Sequence, residues 1–268
     1  MPLNIVVCMK QVPDTATERT LTAGTGTLDR QTPDGLMNEL DEYAVEEGLR
    51  LAEAHGGEVT ILTMGPEKAT DTIRKALSMG ADKAIHLVDD ALVGTDALGT
   101  SYALAKVLES NGFDLVILGS ESTDARTGLL PAMLAERLNV PQLTLASKVE
   151  INAQPTSPGP FTVTINRQTD EGYAVVTGSL PAVISVVEKI NEPRYPSFKG
   201  IMAAKKKPEQ TLGLAEAGIE PDQVGLAGAA TEVTDFAAKP PRQAGQIVKD
   251  EGDGGTKLAA FLVEQKVI

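Results

Sequence analysis

The stretch Leu115-Val-Ile-Leu-Gly-Ser-Glu-Ser-Thr-Asp-Ala-Arg-Thr-Gly-Leu-Leu-Pro131 decides the fold. An apolar run from Leu115 to Leu118 stops at Gly119, polar residues follow, and an apolar helical pattern then resumes as far as Leu138. That order reads as a buried parallel strand, a tight turn and a helix N-terminus. Thr123, Asp124 and Thr127 offer side-chain oxygens for capping, and Gly119 and Gly128 let backbone approach a ligand. In open α/β sheets ligands sit outside the carboxyl ends of the strands, and free N–H groups at a helix start suit a phosphate. An ordinary capped turn without a ligand has the same local pattern, so the stretch sets the architecture and leaves the occupant open.

Working upstream, residues 4–9, 58–64 and 83–88 are short apolar runs of strand character, separated by helical patterns over 39–52, 67–79 and 95–110. Asn38 stands where a helix N-cap belongs, acidic residues crowd the first turn behind it, and Leu40, Ala44, Leu51 and Ala52 share a face. Pro13 ends the first strand region, and residues 15–36 form a long polar connection with Gly24-Thr-Gly26 as a hairpin tip. The β–α alternation predicts a parallel sheet with helices on both faces.

Downstream of Pro141 the texture changes. Residues 149–152, 161–167 and 172–178 alternate apolar with polar and predict antiparallel strands, with a surface loop at 155–160 and a further buried strand at 182–187. Residues 191–198 hold two prolines and two aromatics in a chain that is only 3% aromatic, and a short helix with a basic end follows over 201–207. From 208 to 253 glycine, proline and charge dominate without a core pattern. The apolar residues 258–263 then make a last helix, as expected of an arm that buries itself on another chain.

Composition narrows the function. A net charge of −13 argues against nucleic acid and anionic membrane as partners, leaving Lys205-Lys206-Lys207 as a local basic exception. The single cysteine, Cys8, excludes an internal disulfide and cysteine-based zinc or iron–sulfur sites. No apolar run approaches the ~18–20 residues of a membrane span. Met1-Pro-Leu-Asn-Ile-Val-Val lacks the basic start of a signal peptide, so a cytoplasmic location is expected. Gly-x-Gly-x-x-Gly after a strand, a Walker lysine, His-Glu-x-x-His, Gly-x-Ser-x-Gly and Cys-x-x-Cys are all missing, and both histidines stand alone. No metal site and no nucleophile with its base emerges. The residues point to binding without catalysis.

Five segments carry a resemblance: Val7-Cys-Met-Lys-Gln-Val-Pro-Asp14, Met37-Asn-Glu-Leu-Asp-Glu-Tyr-Ala-Val-Glu-Glu47, Ile73-Arg-Lys-Ala-Leu-Ser-Met-Gly-Ala-Asp82, Asn191-Glu-Pro-Arg-Tyr195 and Gly200-Ile-Met-Ala-Ala-Lys-Lys-Lys207. In this order and spacing they resemble the β subunit of electron-transfer flavoprotein over nearly the whole chain. The resemblance implies a Rossmann-like, adenine-nucleotide-binding parallel-sheet domain at 1–188 with added antiparallel strands. It also implies a partner-recognition loop and short helix at 189–207, and a C-terminal arm at 208–268 docking on an α subunit.

The function so implied is that of an electron carrier. A heterodimer whose FAD is held mainly by the α subunit accepts electrons from acyl-CoA and related dehydrogenases, as in fatty acid oxidation, and passes them to a quinone oxidoreductase. The β subunit would hold a structural AMP. The alternative is an electron-bifurcating flavoprotein with FAD in place of AMP. Carried over by position, the nucleotide site comprises Cys8, Asn38, Glu39, Leu40, Asp41, Met64, Gly119, Ser120, Glu121, Ser122, Thr123, Asp124, Ala125, Arg126, Thr127, Gly128, Leu129 and Leu130. The dehydrogenase would meet Ile190, Tyr195 and Phe198, with Phe198 as anchor. Gly128-Leu129-Leu130 departs from the polar residues frequent there in the family. Gln168 stands where a glutamate that tethers the flavin domain is common.

Overall fold

The computed structural model describes residues 2–152, 161–237, 240–241, 245, 247 and 249–268. The expected loop at 155–160 lies outside them. The chain divides into two compact units, Met1–Val233 and Thr234–Ile268.

The first unit is built on a nine-stranded sheet. Its strands are β1 (Leu3–Cys8), β4 (Gly57–Met64), β5 (Lys83–Leu87), β6 (Leu115–Gly119), β7 (Gln142–Asn152), β8 (Thr162–Thr169), β9 (Gly172–Ser179), β10 (Ala182–Val186) and β11 (Glu209–Leu212). A small hairpin, β2 (Gln11–Pro13) with β3 (Gly35–Met37), stands apart from it. The spatial order is β11-β5-β4-β1-β6-β10-β7-β8-β9. Pairing is parallel from β11 through β7, and β7–β8–β9 is an antiparallel meander. The order reverses direction between β1 and β6, so their carboxyl ends flank the crevice where such folds take ligands.

Alternation along the central strands assigns neighbouring residues to opposite faces. Ile5, Val7, Ile61, Ile117 and Ile184 face the helices α1 (Glu39–His55) and α2 (Thr70–Met79), which contribute Ala44, Val45, Leu49, Ile73 and Leu77. Val6, Leu62, Val116, Leu118 and Val183 face α3 (Ala97–Asn111) and α4 (Leu130–Leu138), which contribute Leu104, Val107, Leu108 and Leu134. Each large side chain fully buried here adds about 2 kcal/mol. The sheet is thus a sealed three-layer core that leaves its carboxyl edge to the loops.

Most expected elements stand where the sequence places them, and Leu21 and Leu28 bridge across the Gly24–Gly26 tip. His86 is structural, its Nε2 lying 3.1 Å from the Gly65 carbonyl oxygen. One reading needs correction. Residues 208–233 belong to the sheet unit: β11 pairs with β5, and Leu212, Leu214, Ala217, Ile219 and Val224 join the core under α3. The break in the chain therefore falls after Val233, well beyond residue 207. The short helix near residue 200 is α5 (Phe198–Ala204), with Ser197 Oγ accepting from the Gly200 N–H. The segments α6 (Leu214–Ala217) and α7 (Gly225–Gly228) follow β11.

The second unit carries α8 (Gly254–Glu264), in which no residue is buried. Among the described residues no helix is long and apolar enough to cross a membrane.

Candidate functional site

Three loops meet at the crevice between β1 and β6, and α1 stitches them together. Asn38, at the N-cap position of α1, is 1% exposed and makes no capping bond within its own helix. Its Nδ2 donates to the Glu121 carbonyl oxygen at 2.9 Å, and its Oδ1 accepts from the Thr123 N–H at 3.0 Å. Asp41, one turn further, accepts from the Lys10 N–H at 2.8 Å and from the Gly119 N–H at 3.2 Å. The first turn of α1 thereby fixes both the exit of β1 and the turn after β6.

Gly119 is required by this closeness, since its backbone dihedrals are ordinary. A Cβ there would lie 2.6 Å from Asp41 Oδ1 and 2.9 Å from the Leu40 carbonyl carbon. The expectation that Gly119 admits a ligand is corrected: its missing side chain admits α1. Gly128 has a φ of +63°, and a Cβ there would meet only the Ser120 carbonyl oxygen, at 3.9 Å. Arg126 also takes a left-handed φ, of 50°, and its N–H donates to the Ser122 carbonyl oxygen at 2.8 Å.

Asp124 is the electrostatic centre of the turn. Its side chain is fully buried, and its carboxylate receives Lys10 Nζ at 2.9 Å together with the guanidinium of Arg30. Lys10 Nζ also donates to Ser122 Oγ at 3.3 Å. Burial works to raise the Asp124 carboxyl, but Lys10 and Arg30 outweigh it and hold the group well below the usual carboxylate range. Asp124 therefore serves the turn from within instead of offering its oxygens outward. For Asp41 the balance is opposite: burial dominates the hydrogen bonds from Lys10, Asn38 and Gly119 and pushes its carboxyl up to about 7. The Cys8 thiol, buried beside Asp41, is pushed up by burial first and by that carboxylate second, so it stays protonated.

Thr123 is 8% exposed, and its Oγ1 is buried without a hydrogen-bond partner. Native structures rarely leave such a group unmet. The start of α4 is also open: Leu129 at its N-cap gives no side-chain cap, and Pro131 stands in the first turn. Thr127, Gly128 and Leu129 form an exposed rim beside it, with Ala125 and Arg126.

The other expected site residues sort by position. Ser120, Glu121 and Ser122 are half-buried in the turn, Glu39 is exposed, and Leu40 lies with its backbone on Gly119. Met64, at the end of β4, and Leu130 pack partly against the core under α3 and α4. Sequence reading missed Lys10 and Arg30 as members of the site. Lys10 directly follows the first strand region, which was a usable signal; nothing near Arg30 pointed to a partner 94 residues away.

A second region carries the residues expected to meet a protein. Tyr195 and Phe198 are 96% and 81% exposed. Ile190 packs against the core on the α1 face, so it supports this loop from below.

Comparison with known proteins places the chain beside a defined family. Residues 25–217 match the family model described as "Electron transfer flavoprotein domain". The chain is 53% identical to the electron transfer flavoprotein subunit beta of Mycobacterium tuberculosis over 271 residues, covering 99% of each chain. It is 33% identical to the protein of the same name from Megasphaera elsdenii, covering 99% of this chain and 98% of that one. It is also 37% identical to the protein FixA of Sinorhizobium fredii, over 90% of this chain and 85% of the relative.

Proposed function

The chain belongs to the electron transfer flavoprotein β-subunit family, and from that premise we propose that it is the nucleotide-holding, partner-docking half of an electron-carrying heterodimer. An α subunit completes the dimer and its FAD. When bound, the flavin accepts and gives up electrons singly, and no residue of this chain has to perform bond-making chemistry. Acyl-CoA and related dehydrogenases are the donors and a quinone oxidoreductase the acceptor in this reading.

The turn after β6 carries the nucleotide part of the proposal. A buried hydroxyl without a partner at Thr123 and an uncapped helix start at α4 are unmet polar groups at a sheet's carboxyl edge. An AMP phosphate would satisfy the N–H groups at the α4 start, where the helix dipole favours negative charge. At Gly128 a Cβ would clash with nothing, the nearest atom being the Ser120 carbonyl oxygen at 3.9 Å, which fits a backbone that approaches a phosphate closely. Asp124 shapes the turn without touching the anion, which removes a carboxylate that would repel phosphate. A second reading, FAD in place of AMP, draws on the exposed apolar side chain of Leu129 at the rim, 51% exposed, where a flavin ring could be covered.

Purifying the heterodimer, counting flavin and identifying the released nucleotide separates these readings. One FAD with AMP supports the carrier, two FAD support the bifurcating alternative, and one FAD with no second nucleotide defeats both. Thr123→Val in that dimer should lower nucleotide retention while leaving the thermal midpoint of nucleotide-free protein unchanged or raised, because an unpaired buried hydroxyl disappears.

The docking part rests on Phe198. With Tyr195, Ile201 and Met202 it forms an apolar strip, and Phe198, Ile201 and Met202 share one face of α5 by their spacing. An exposed aromatic on a proline-stiffened loop suits brief, repeated contact with a dehydrogenase.

A further inference from the structure

The strip around Phe198 is apolar and exposed, yet the segment that carries it is tied down at its polar positions. Arg194 is the main tie. Its N–H and Nε donate to Glu46 Oε2 at 3.1 and 2.7 Å, and its Nη2 donates to Glu46 Oε1 at 2.9 Å. Nη1 and Nη2 also reach Glu53 Oε1 and Oε2, at 2.5 and 3.2 Å. Glu46 and Glu53 lie two turns apart on one face of α1, which matches the fork of a guanidinium. Asn191 adds a second tie, its Nδ2 donating to the Tyr43 carbonyl oxygen at 3.1 Å and to Glu47 Oε2 at 3.0 Å.

The far end of the segment is held by different chemistry. Lys207 Nζ donates to the carbonyl oxygens of Leu77, Gly80 and Ala81, at 2.9, 3.0 and 2.6 Å, capping the C-terminus of α2. Between the two ends, Gly200 presses on α2 so closely that a Cβ would come 2.4 Å from the Ser78 carbonyl oxygen.

Glu46 is only 5% exposed, so its pairing is a buried and directional one. The ties run through one arginine to two carboxylates of a single rigid helix, while the residues that follow it in sequence point their apolar groups outward. An ion network serving fold stability alone has no need to sit between exposed Tyr195 and the helix body.

We propose that Arg194, with Glu46 and Glu53, is a positioning residue for dehydrogenase docking: it holds the Tyr195–Phe198–Met202 strip in its docking conformation before the encounter. This rests on the docking reading above. A ligand binding to a conformation that is only fractionally populated loses apparent affinity by that fraction. If loss of the tie lets the strip hold its docking form about one-tenth of the time, apparent affinity falls about 10-fold.

The test uses the purified heterodimer and follows flavin reduction by a substrate-reduced acyl-CoA dehydrogenase at varied dehydrogenase concentration. Arg194→Gln should raise the half-saturating concentration about 10-fold with the saturated rate retained, and Arg194→Lys and Glu53→Gln should raise it less. In a Phe198→Ala background, Arg194→Gln should add less than about twofold, because the strip it positions has lost its anchor. Flavin content should not change. If Phe198→Ala weakens docking but neither Arg194→Gln nor Glu53→Gln does, or if the effects of Phe198→Ala and Arg194→Gln simply multiply, the positioning role is wrong while the docking reading stands. If Phe198→Ala has no effect, the docking reading falls and the positioning role with it. Glu53 is largely exposed, so its variant keeps the test decisive even where Arg194→Gln impairs folding.

Discussion

Asp41 and Asp124 share one seam, and their surroundings drive them apart. Asp124 ionises more readily than a free carboxyl because two cations face it, so its contribution to stability is present above the unfolded value of ~3.9 and is lost as pH falls below that. Asp41 holds its proton up to about 7, so the folded chain binds more protons than the unfolded chain between ~3.9 and that point. Its contribution is therefore fully present below ~3.9 and is lost as pH rises toward about 7. Thermal midpoints measured from pH 3 to pH 8 should show both effects. Asp124→Asn should flatten the loss of stability at the acid end and should cost ~1–3 kcal/mol at neutral pH, because Lys10 and Arg30 lose their counter-ion. Asp41→Asn should be less stable throughout, since one amide N–H would face the backbone N–H of Lys10 or Gly119. Its deficit relative to wild type should shrink between pH 5 and pH 8; a gap that stays constant there would show that Asp41 is already ionised at pH 5. The candidate site was legible in the sequence as residue types on one turn. What each residue does was not, because the roles of Asn38, Asp41 and Asp124 depend on partners 31 to 114 residues away.

The turn from Gly119 to Leu130 works as an element only because α1 comes close to it. Gly119→Ala should therefore lower stability by ~1–3 kcal/mol through overpacking against Asp41 and Leu40, despite the favourable loss of chain entropy that the change brings. Gly128→Ala should cost ~1–2 kcal/mol for a different reason, its left-handed backbone, with no neighbour to clash against. Denaturant titrations distinguish the two sites if a second change that opens space, Leu40→Ala, eases the first substitution and leaves the second unaffected. The same contrast explains which elements the sequence discloses. The central strands are unbroken apolar runs because both faces are covered, and the helices between them are set by period and caps. By contrast, β11 has one buried residue, Leu212, in the sequence Glu-Gln-Thr-Leu, since an edge strand lends little to the core. Likewise β2 and β3 are three residues each, too short for any periodicity to register.

At the scale of the whole molecule, the acidic sheet unit and the segment after Val233 differ in how they are stabilised. The first closes two apolar layers around its sheet and needs no further surface to do so. The second contains α8, an 11-residue helix with no buried residue and with Leu258 and Val263 more than half exposed. Isolated helices of that length are marginal in water, so its stability has to come from a surface that covers the apolar side chains. The α subunit is the partner this family reading supplies. A chain ending at Val233 should then keep the thermal midpoint of the isolated full-length chain to within a few degrees, because no core residue is lost. Its affinity for the α subunit should fall by at least ~100-fold, the equivalent of ~3 kcal/mol and about what burying two large apolar side chains contributes. Co-purification and sedimentation of the two chains against α-subunit concentration measure this directly. A truncated chain that pairs as tightly as the full one would show that α8 serves some other contact. A truncated chain that fails to fold would show that Thr234–Ile268 belongs to the structure of the sheet unit after all.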